Sequence, residues 1–573
     1  MKLENFFVNF ELLTDAPNAV AKLREIILQL AIRGKLVAQH PNDETALALL
    51  ERIKSKKKQL IFSNKTQKFD FNLSDEEDVI LESLPVNWYW TNLETIGWIN
   101  PRNNLPDDLD VAFIPMNLIP QKYGVVVQWE TKKWGDVKKG FTHFAEGDVA
   151  LAKITPCFQN GKSCVMRGLK NQFGAGTTEL HIFRPIDNLT YPEYVLIYFN
   201  SVSFIKNAIP IMTGTAGQKR VPNSYVAQNP FPLAPLAEQK RIVEKCDRLL
   251  SICDEIEKRQ QQRQESIVRM NESAIAQLLS SQNPEEFRQH WQRICNNFDL
   301  LYSIPETIPK LRQAILELAV QGKLVRQLPN EEPASKVLQK IKEEKEELAK
   351  QGIVVKEKTL ASISLDELSF NIPESWIWVR LGQIVKSIRY GTSKHCSYEQ
   401  NGVPILRIPN LINGKIDQQD LKFTVLSEKE LLELKLERND LLMIRSNGSK
   451  SLIGRTAIVS ADVEGYGYAG YLVRLKIFLN YVDSRYLNLA LDTNFVRYQI
   501  EIPIRTTSGV KNINSTEISN LILPLPPLGE QKRIVEKCDR LMSLCDTLEA
   551  KLKQGRDSSE KLMEVAAKQL LTA

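Results

Sequence analysis

One stretch of twelve residues, EQKRIVEKCDRL, occurs twice in this chain, at 238–249 and again at 530–541. An identical repeat so far apart indicates an internal duplication, and a duplication constrains the fold more than any other signal here. The match extends outward, because LREIILQLAIRGKLV at 23–37 corresponds to LRQAILELAVQGKLV at 311–325. LPVNWYW at 84–90 likewise corresponds to IPESWIW at 372–378. The chain is therefore a tandem duplication of about 270 to 280 residues.

The two copies agree in their flanks and differ between them. From roughly 100 to 230 and from 386 to 522 only scattered patterns match, such as Asp148-Val149 against Asp440-Leu441. We call these stretches the first and second variable blocks, and the repeated parts around them the frame. The blocks are rich in Gly, Pro and Asn and contain short β-branched and aromatic runs, which is typical of α+β globules with many loops.

The frame is predicted to be helical. Apolar residues recur at spacings of four and three after Pro235, at Ile242, Cys246, Leu249, Cys253 and Ile256, and the same pattern follows Pro527 from Ile534 to Leu552. The pattern resumes at Ile267, Met270 and Ala274. Such a seam predicts two long coiled-coil helices, the first ending near Leu279 and about 65 Å long. A shorter repeated helix is expected to end at Gly34 and Gly322, which suit the position after a helix C-terminus.

Strings that suggest catalysis are incomplete. Gly161-Lys162-Ser163 resembles the end of a phosphate-binding loop, but Pro156 stands where that motif needs glycine. NPFP at 229–232 departs from an amino-methyltransferase tetrad, and no glycine-rich cofactor loop accompanies it. The five histidines are dispersed and the eight cysteines form no C-x-x-C pair. We therefore predict no catalytic residue, no metal and no cofactor in this chain.

The distribution of charge is more informative than the net charge of +6. Residues 149–178 and 194–237 of the first copy contain Lys or Arg and no acid, and so do 441–461 and 502–516 of the second. Basic loops with Thr, Ser, Asn and Gln suit a phosphate backbone and base edges. For any single residue the alternative is an ordinary polar loop, but the windows recur at matching places. We therefore expect a nucleic-acid partner.

Two motifs carry a resemblance to a known family. PLAPLAEQKRIV at 232–243 and PLPPLGEQKRIV at 524–535 each close a variable block, and RYGTSKHCSYEQNGVPILRIPNLINGKID at 389–417 opens the second. GFTHFAEGDVALAKITPCFQNGK at 140–162 is similar to another recurrent type of the same domain. Together they resemble the specificity subunits of type I restriction-modification systems over essentially the whole chain.

The resemblance implies a non-catalytic reader of double-stranded DNA. Each variable block would be a target recognition domain for one half of a bipartite, asymmetric site, and the long helices would set the gap. Two modification subunits with S-adenosylmethionine would methylate adenine, and two restriction subunits would use ATP and Mg. With no apolar run of 18 residues and an acidic start, the chain is expected in the cytoplasm, without membrane contact.

The predicted fold class is α+β, a tandem duplication with two α/β-type target recognition domains separated by two long antiparallel coiled-coil helices in pseudo-two-fold symmetry. Six segments are expected: a helical segment at 1–83, recognition domain 1 at 84–231, the central long helix and link at 232–296, a second helical segment at 297–371, recognition domain 2 at 372–523 and the C-terminal long helix at 524–573.

The charge windows and the resemblance together give the candidate DNA-binding residues. In the first block they are Lys153, Thr155, Gln159, Lys162, Arg167, Thr215, Gly217, Lys219 and Arg220. In the second they are Tyr390, Gly391, Thr392, Ser393, Arg445, Ser446, Asn447, Lys450, Thr507, Gly509 and Lys511. The first block departs from the family pattern at its start, where INPRNNLPDD at 99–108 replaces a Y-G-T-S-like loop.

Six residues of the repeated stretch are expected to bind the modification subunits: Glu238, Gln239, Arg241, Glu530, Gln531 and Arg533. If both copies of the stretch bind the same kind of partner, the need to bind it twice would explain the repeat. Two other readings stay open at this point. One is an enzyme, a fused methyltransferase or nuclease, and the other is a structural coiled-coil scaffold without a role in DNA reading.

Overall fold

The computed structural model describes residues 16–64, 83–121, 123–215, 217–352, 360–502, 505–507 and 510–572. The chain divides into two compact units, which we call unit 1 (residues 1–263 and 555–573) and unit 2 (residues 264–554). Both divisions fall inside long helices, Leu236–Leu279 and Leu528–Thr572. The predicted six segments follow the chain, whereas each compact unit also includes the end of the long helix that begins in the other unit.

The long helices match the predicted seam. They contain 44 and 45 residues, and the first ends at the predicted Leu279. Cys246 and Cys253 are buried in the core of unit 1. Met270 was predicted to lie in the seam, but it is 43% exposed. Its neighbour Asn271 takes the inward position instead and donates from Nδ2 to the carbonyl of Leu301 at 3.2 Å.

The shorter frame helices also end where the sequence predicts. They are Ala19–Ile32 and Ile308–Val320. Gly34 and Gly322 follow with φ of 68° and 70°, values that favour glycine. A Cβ at either position would also contact a proline ring, Pro85 or Pro373. The glycines therefore end the helices and let the chain approach closely.

Further helices complete the two units. In unit 1 they are Ala46–Asn64, Leu93–Ile96, Trp134–Val137, Pro192–Phe199, Val202–Ala208 and Asn223–Gln228. In unit 2 they are Pro284–Asn296, Phe298–Leu301, Ala334–Lys350, Leu381–Ile384, Glu428–Leu434, Ser484–Leu491, Asn494–Glu501 and Ser515–Asn520. Within the described ranges, no helix combines the length and apolarity needed to cross a bilayer.

The first variable block contains two four-stranded sheets. In spatial order, one consists of Gly97–Ile99, Leu180–Pro185, Val149–Ala152 and Ser163–Val165, all antiparallel. The other consists of Glu130–Lys133, Asp110–Ile114, Phe173–Gly176 and Thr142–Ala145, in which the middle pair is parallel. If the strands of the first of these sheets are numbered along the chain, they lie side by side in the order first, fourth, second, third.

The second variable block has the same strand order despite its different sequence. Its main sheet consists of Val385–Tyr390, Leu472–Ile477, Leu441–Ile444 and Thr456–Ile458, again first, fourth, second, third. A smaller sheet consists of Lys422–Thr424, Val403–Leu406 and Gly467–Tyr468. Its last two strands are parallel to each other, like the middle two strands of the second sheet in the first block. Short strands at Leu411–Ile412, Lys415–Ile416, Ser446–Asn447, Arg505–Thr507 and Val510–Asn512 complete the block.

In each block a buried aspartate lies near an arginine of the neighbouring strand of the main sheet. Arg184 Nη2 lies 2.7 Å from Asp148 Oδ2, and Arg474 Nε lies 3.9 Å from Asp440 Oδ2. The match between Asp148 and Asp440 in the sequence therefore marks one structural position. Burial raises the pKa of Asp440 to about 6, although Arg474 opposes the shift.

Each block is closed onto its frame by a short antiparallel pair. Tyr89–Thr91 pairs with Phe231–Leu233, and Ile377–Arg380 pairs with Ile522–Leu525. A buried tyrosine hydroxyl supports each pair: Tyr194 donates to the carbonyl of Pro232 and Tyr486 to that of Pro524, both at 2.8 Å. The proline-rich lead of the repeated stretch is thus a strand that joins the two ends of the block.

A buried glutamine at the start of the first long helix joins three parts of unit 1. The backbone N–H of Tyr191 donates to Gln239 Oε1 at 2.9 Å. Gln239 Nε2 in turn donates to the carbonyl of Ala234 at 2.8 Å. The helix start, the proline-rich lead and the entry of the block helix Pro192–Phe199 therefore meet at one side chain.

The second copy repeats these contacts. The backbone N–H of Asp483 donates to Gln531 Oε1 at 2.8 Å, and Gln531 Nε2 donates to the carbonyl of Pro526 at 2.9 Å. Gln239 and Gln531 are both fully buried. We call the two sets of contacts the glutamine clamps.

The neighbouring repeated residues also serve their own unit. Glu530 is buried and accepts from Trp376 Nε1 at 2.9 Å and from Gln327 Nε2 at 3.0 Å. Its counterpart Glu238 is buried and accepts from Gln39 Nε2 at 3.1 Å. Arg241 pairs with Asp43, and Arg533 pairs with Glu331.

These positions require a correction to the expected docking residues. Glu238, Gln239, Glu530 and Gln531 are at most 1% exposed, so their side chains are not available to a partner. Arg241 and Arg533 are partly exposed but engaged in ion pairs with residues of their own unit. The repetition of these six residues is explained by the same intramolecular contacts being made twice.

Replacing Gln531 with leucine tests the clamp. The substitution keeps the volume but leaves the N–H of Asp483 and the carbonyl of Pro526 buried without partners, so we expect a loss of about 1–3 kcal/mol in unfolding free energy. Denaturant unfolding followed by circular dichroism measures it. Lys532→Ala, at an exposed neighbouring position, is the matched control. Equal stability of the two variants would contradict the clamp.

Candidate nucleic-acid interface

In the first block, two acid-free windows meet where strand Val149–Ala152 ends. The next residue, Lys153, donates its backbone N–H to the carbonyl of Glu179 and accepts from the N–H of Val221, both at 2.9 Å. Thr155 donates its backbone N–H to the carbonyl of Lys219 at 2.9 Å, and Thr155 Oγ1 accepts from the N–H of Lys219 at 3.0 Å. Residues far apart in the sequence are therefore joined by backbone contacts.

The second block builds the same arrangement after strand Leu441–Ile444. Arg445 donates its backbone N–H to the carbonyl of Tyr471 and accepts from the N–H of Ile513, both at 2.9 Å. Strand Ser446–Asn447 then pairs antiparallel with Lys511 and Asn512. The two acid-free windows of this block are adjacent as well.

The two arrangements correspond position by position. The matching residues are separated by the same distance in sequence as the repeated stretches (530 − 238 = 292). The first loop site consists of Lys153, Thr155, Glu179, Lys219 and Arg220, and the second loop site of Arg445, Asn447, Tyr471, Lys511 and Asn512. One backbone geometry thus presents two different sets of side chains.

Arg445 is held in place by contacts from two sides. Its guanidinium lies over the ring of Tyr390, 4.4 Å from the ring centroid. Arg445 Nη1 donates to the carbonyl of Gly470 at 3.2 Å. The hydroxyl of Tyr390 accepts from the backbone N–H of Ser515 at 2.7 Å, which fixes the ring. Arg445 is therefore preorganised, with donors left over for a ligand.

The Y-G-T-S loop lies beside this arginine. Thr392 donates its N–H to the carbonyl of Tyr468 at 2.9 Å, and Gly470 donates its N–H to the carbonyl of Thr392 at 2.7 Å. A Cβ on Gly391 would collide with the carbonyls of Tyr468 and Ala469, so glycine is needed for this close approach. Ser393 follows as an exposed residue.

The first loop site contains an additional ion pair. Arg220 donates from Nε and Nη2 to the two carboxylate oxygens of Glu179 at 2.9 and 2.8 Å. This bidentate contact lowers the pKa of Glu179. Glu179 is thus neutralised locally, and the ammonium groups of Lys153 and Lys219 set the sign of the site.

Several predicted residues lie elsewhere. Arg167 follows strand Ser163–Val165, which runs antiparallel to Val149–Ala152, so it lies at the opposite end of the sheet from Lys153. There it pairs with Glu193 at 2.7 Å. The acid-free window spans a whole hairpin, in which Lys153 lies at the turn and Arg167 beyond the open end, so the two residues reach opposite edges of the sheet. Arg167 is therefore not part of the first loop site.

Three further candidates flank the loop sites. Lys162 lies opposite Ala152 and donates from Nζ to the carbonyl of Met116 at 3.0 Å. Gln159 lines a cleft of about 600 Å³ together with Arg24 of the frame. Lys450 begins a short 3-10 turn, Lys450–Leu452, after the second loop site.

The hairpin tips complete the placement of the candidates. Thr215 and Gly217 are exposed in the turn that leads to Lys219, and Gly217 has a φ of 79°. Thr507 lies in strand Arg505–Thr507, which pairs with the strand that contains Lys511. Gly509 lies outside the described residues.

Sequence reasoning missed three residues of the loop sites: Glu179, Tyr471 and Asn512. Glu179 directly follows an acid-free window and Tyr471 lies between two windows, and both reach the sites through backbone hydrogen bonds. Asn512 carries no charge and was not selected. The constant separation of 292 residues would have found Asn512 from the chosen Arg220, whereas Glu179 and Tyr471 correspond only to each other.

The described part of the chain contains no group of three or more His, Cys, Asp or Glu side chains placed to hold a metal ion. The loop sites instead combine cationic, amide, hydroxyl and aromatic groups at a partly exposed strand end. Such groups suit contacts with phosphates and base edges.

Comparison with known proteins gives a concordant result. A family model described as type I restriction modification DNA specificity domain matches residues 373–555. The EcoAI specificity subunit of Escherichia coli is 38% identical over 545 residues, covering 94% of this chain and 92% of its own length. The chain belongs to the type I restriction enzyme specificity subunits. The EcoEI specificity subunit of Escherichia coli is 36% identical, with the same coverage of both chains.

A solved structure, the HsdS subunit from Thermoanaerobacter tengcongensis, is 17% identical and aligns over 85% of this chain and 96% of its own, with a TM-score of 0.41.

Specificity subunits are the non-catalytic subunits of type I restriction systems, and their function is DNA target recognition. The loop sites of this specificity subunit are the candidate surfaces for it.

Replacing Arg445 with alanine tests the second loop site. If the guanidinium contacts a base, binding to target duplex should weaken by about 1–3 kcal/mol. A titration of labelled duplex against each variant measures the change. Arg438→Ala is the matched control, since Arg438 is exposed at the other end of the strand that leads to Arg445. Equal affinity of the two variants would remove Arg445 from the interface.

Proposed function

We propose that each variable block reads one half of a bipartite, asymmetric DNA target. The observation that carries this proposal is the pair of loop sites, which share a backbone arrangement and differ in four of five side chains. A shared scaffold suits a common task, and different side chains suit different bases. Two unlike halves of one target follow from two unlike sites.

The long helices suit the role of spacer. Helices of 44 and 45 residues extend about 65 Å each. A helix has a fixed rise per residue, so a helical spacer gives a gap of constant length between the half-sites. The glutamine clamps favour this role because they fix each block to the start of a long helix.

Two modification subunits are proposed to dock on the repeated stretch, through residues other than those expected from the sequence. Five identical residues are exposed in each copy: Lys240, Glu244, Lys245, Asp247 and Arg248 in the first, and Lys532, Glu536, Lys537, Asp539 and Arg540 in the second. Exposed side chains contribute little to folding, so their identity in both copies supports a shared external partner. Duplication gives that partner two equivalent surfaces.

In this proposal the specificity subunit contributes no cofactor. The modification subunits bring S-adenosylmethionine and transfer methyl groups to adenine, and two restriction subunits bring ATP and Mg for cleavage. The complex acts on double-stranded DNA in the cytoplasm and has no membrane contact. These assignments follow from the family to which the chain belongs.

The proposed function is tested by mapping adenine methylation. The chain is co-expressed with its modification subunit in a host that lacks adenine methylation, and the genome is sequenced with a long-read method. We expect one motif with two unlike halves and a fixed gap. An undivided motif, or no methylation by an assembled complex whose modification subunit is active with another specificity subunit, would contradict the proposal.

Reversing the charge of one exposed lysine in each repeated stretch, in the same co-expression host, tests the docking surface. The double variant Lys245→Glu and Lys537→Glu should no longer co-purify with the modification subunit, while its unfolding transition stays unchanged. Lys258→Glu is the control, because Lys258 is exposed on the first long helix but outside the repeated stretch. Normal co-purification of the double variant would remove this face from the interface.

A further inference from the structure

One of the five matched positions carries the same residue in both loop sites. Lys219 of the first corresponds to Lys511 of the second, whereas the other four pairs differ. Those pairs are Lys153 and Arg445, Thr155 and Asn447, Glu179 and Tyr471, and Arg220 and Asn512. The identity is notable because the surrounding blocks have diverged in most of their sequence.

A DNA half-site has one part that is constant and one that varies. The phosphate backbone is nearly the same at every sequence, while the base edges change from one half-site to the other. Two sites that descend from one ancestor and now read different sequences keep the residues that contact the constant part. They exchange the residues that contact the variable part.

The position of Lys219 suits a phosphate contact. It ends an exposed hairpin in which Arg220 donates its N–H to the carbonyl of Thr213 at 2.7 Å and accepts from the N–H of Thr213 into its own carbonyl at 3.0 Å. Lys219 is exposed, and its ammonium has no ion-pair partner among the described residues. Lysine acts as a point charge toward phosphate and does not impose the planar geometry that base recognition uses.

Lys511 is the matching residue of the second loop site and is partly exposed. Its backbone pairs with Thr506 on one side and with Asn447 on the other, so the position is fixed in the middle of a three-stranded sheet. Its ammonium likewise has no ion-pair partner within the described part of the chain. The common lysine is therefore a fixed cation at the same place in both sites.

The four pairs that differ have the chemistry of base recognition. Arg445 can donate two hydrogen bonds to guanine O6 and N7, and Asn447 and Asn512 can pair with adenine N6 and N7. In the first site, Arg220 and Glu179 form a planar bidentate pair in place of Asn512 and Tyr471. These exchanges change the donor and acceptor pattern while the backbone stays the same.

We propose that Lys219 and Lys511 contact DNA phosphates and carry no sequence information, and that the four differing pairs discriminate bases. This assignment rests on the proposed function and deepens it. It predicts that two adjacent residues of one strand act differently: Lys511 affects the affinity for any duplex, and Asn512 affects which sequence is preferred.

The experiment compares Lys511→Ala with Asn512→Ala in the assembled methylating complex. Each variant is tested for its genomic methylation motif and for binding to two duplexes of equal length, one with the mapped motif and one with both halves scrambled. Lys511→Ala should weaken binding to both duplexes by the same several-fold factor and leave the motif unchanged. The slope of binding against salt should fall by about one.

Asn512→Ala should instead relax one half of the motif, with the other half retained. Lys511→Arg keeps the charge and should restore both affinity and salt slope, which separates loss of charge from loss of folding. Lys219→Ala and Arg220→Ala repeat the comparison for the other half.

The proposal is overturned if Lys511→Ala changes the base preference of a half, if it leaves binding unchanged, or if Asn512→Ala leaves the motif intact. None of these outcomes affects the proposed function, provided that the unaltered chain gives a two-part motif. If the unaltered chain gives no such motif, the proposed function itself fails.

Discussion

The structure of each unit depends on one buried amide. Gln239 and Gln531 connect the start of a long helix, the segment after the strand that closes the variable block, and the residue that precedes helix Pro192–Phe199 or Ser484–Leu491, through hydrogen bonds to backbone groups only. Because the partners are backbone groups, the block can change its side chains without losing the connection. This property explains how nearly identical flanks hold blocks that share little sequence.

Inside the blocks, too, the two copies share their backbone arrangement and differ in their side chains. The main sheets have one strand order, Asp148 and Asp440 occupy one buried position, and the loop sites share their backbone hydrogen bonds. What differs is confined to side chains at a strand end. Recognition can therefore change there while the cost in stability stays small, since those side chains are exposed or only partly buried.

Local patterns in the sequence predicted the local structure well. Apolar spacing placed the end of the first long helix at Leu279, and Gly34 and Gly322 marked helix ends. The burial of Glu238 and Gln239 was not predicted, because identity in two copies indicates a shared constraint without showing whether that constraint is internal or external. The position of Arg167 at the other end of the sheet from Lys153 was not predicted, because the end of the sheet that a residue reaches depends on how the strands pair. Tyr471 and Glu179 were missed for the same reason.

The central claim is that the frame holds either block in the same way and that the block alone decides which half-site is read. Replacing residues 385–522, the second variable block with its whole first strand, with the matching residues 97–230 tests it most directly. Mapping of adenine methylation should then give a motif with two like halves, both matching the half read by the first block, and a gap of unchanged length. A folded, assembled complex that keeps the original unlike halves, or that methylates no defined motif, would contradict the account.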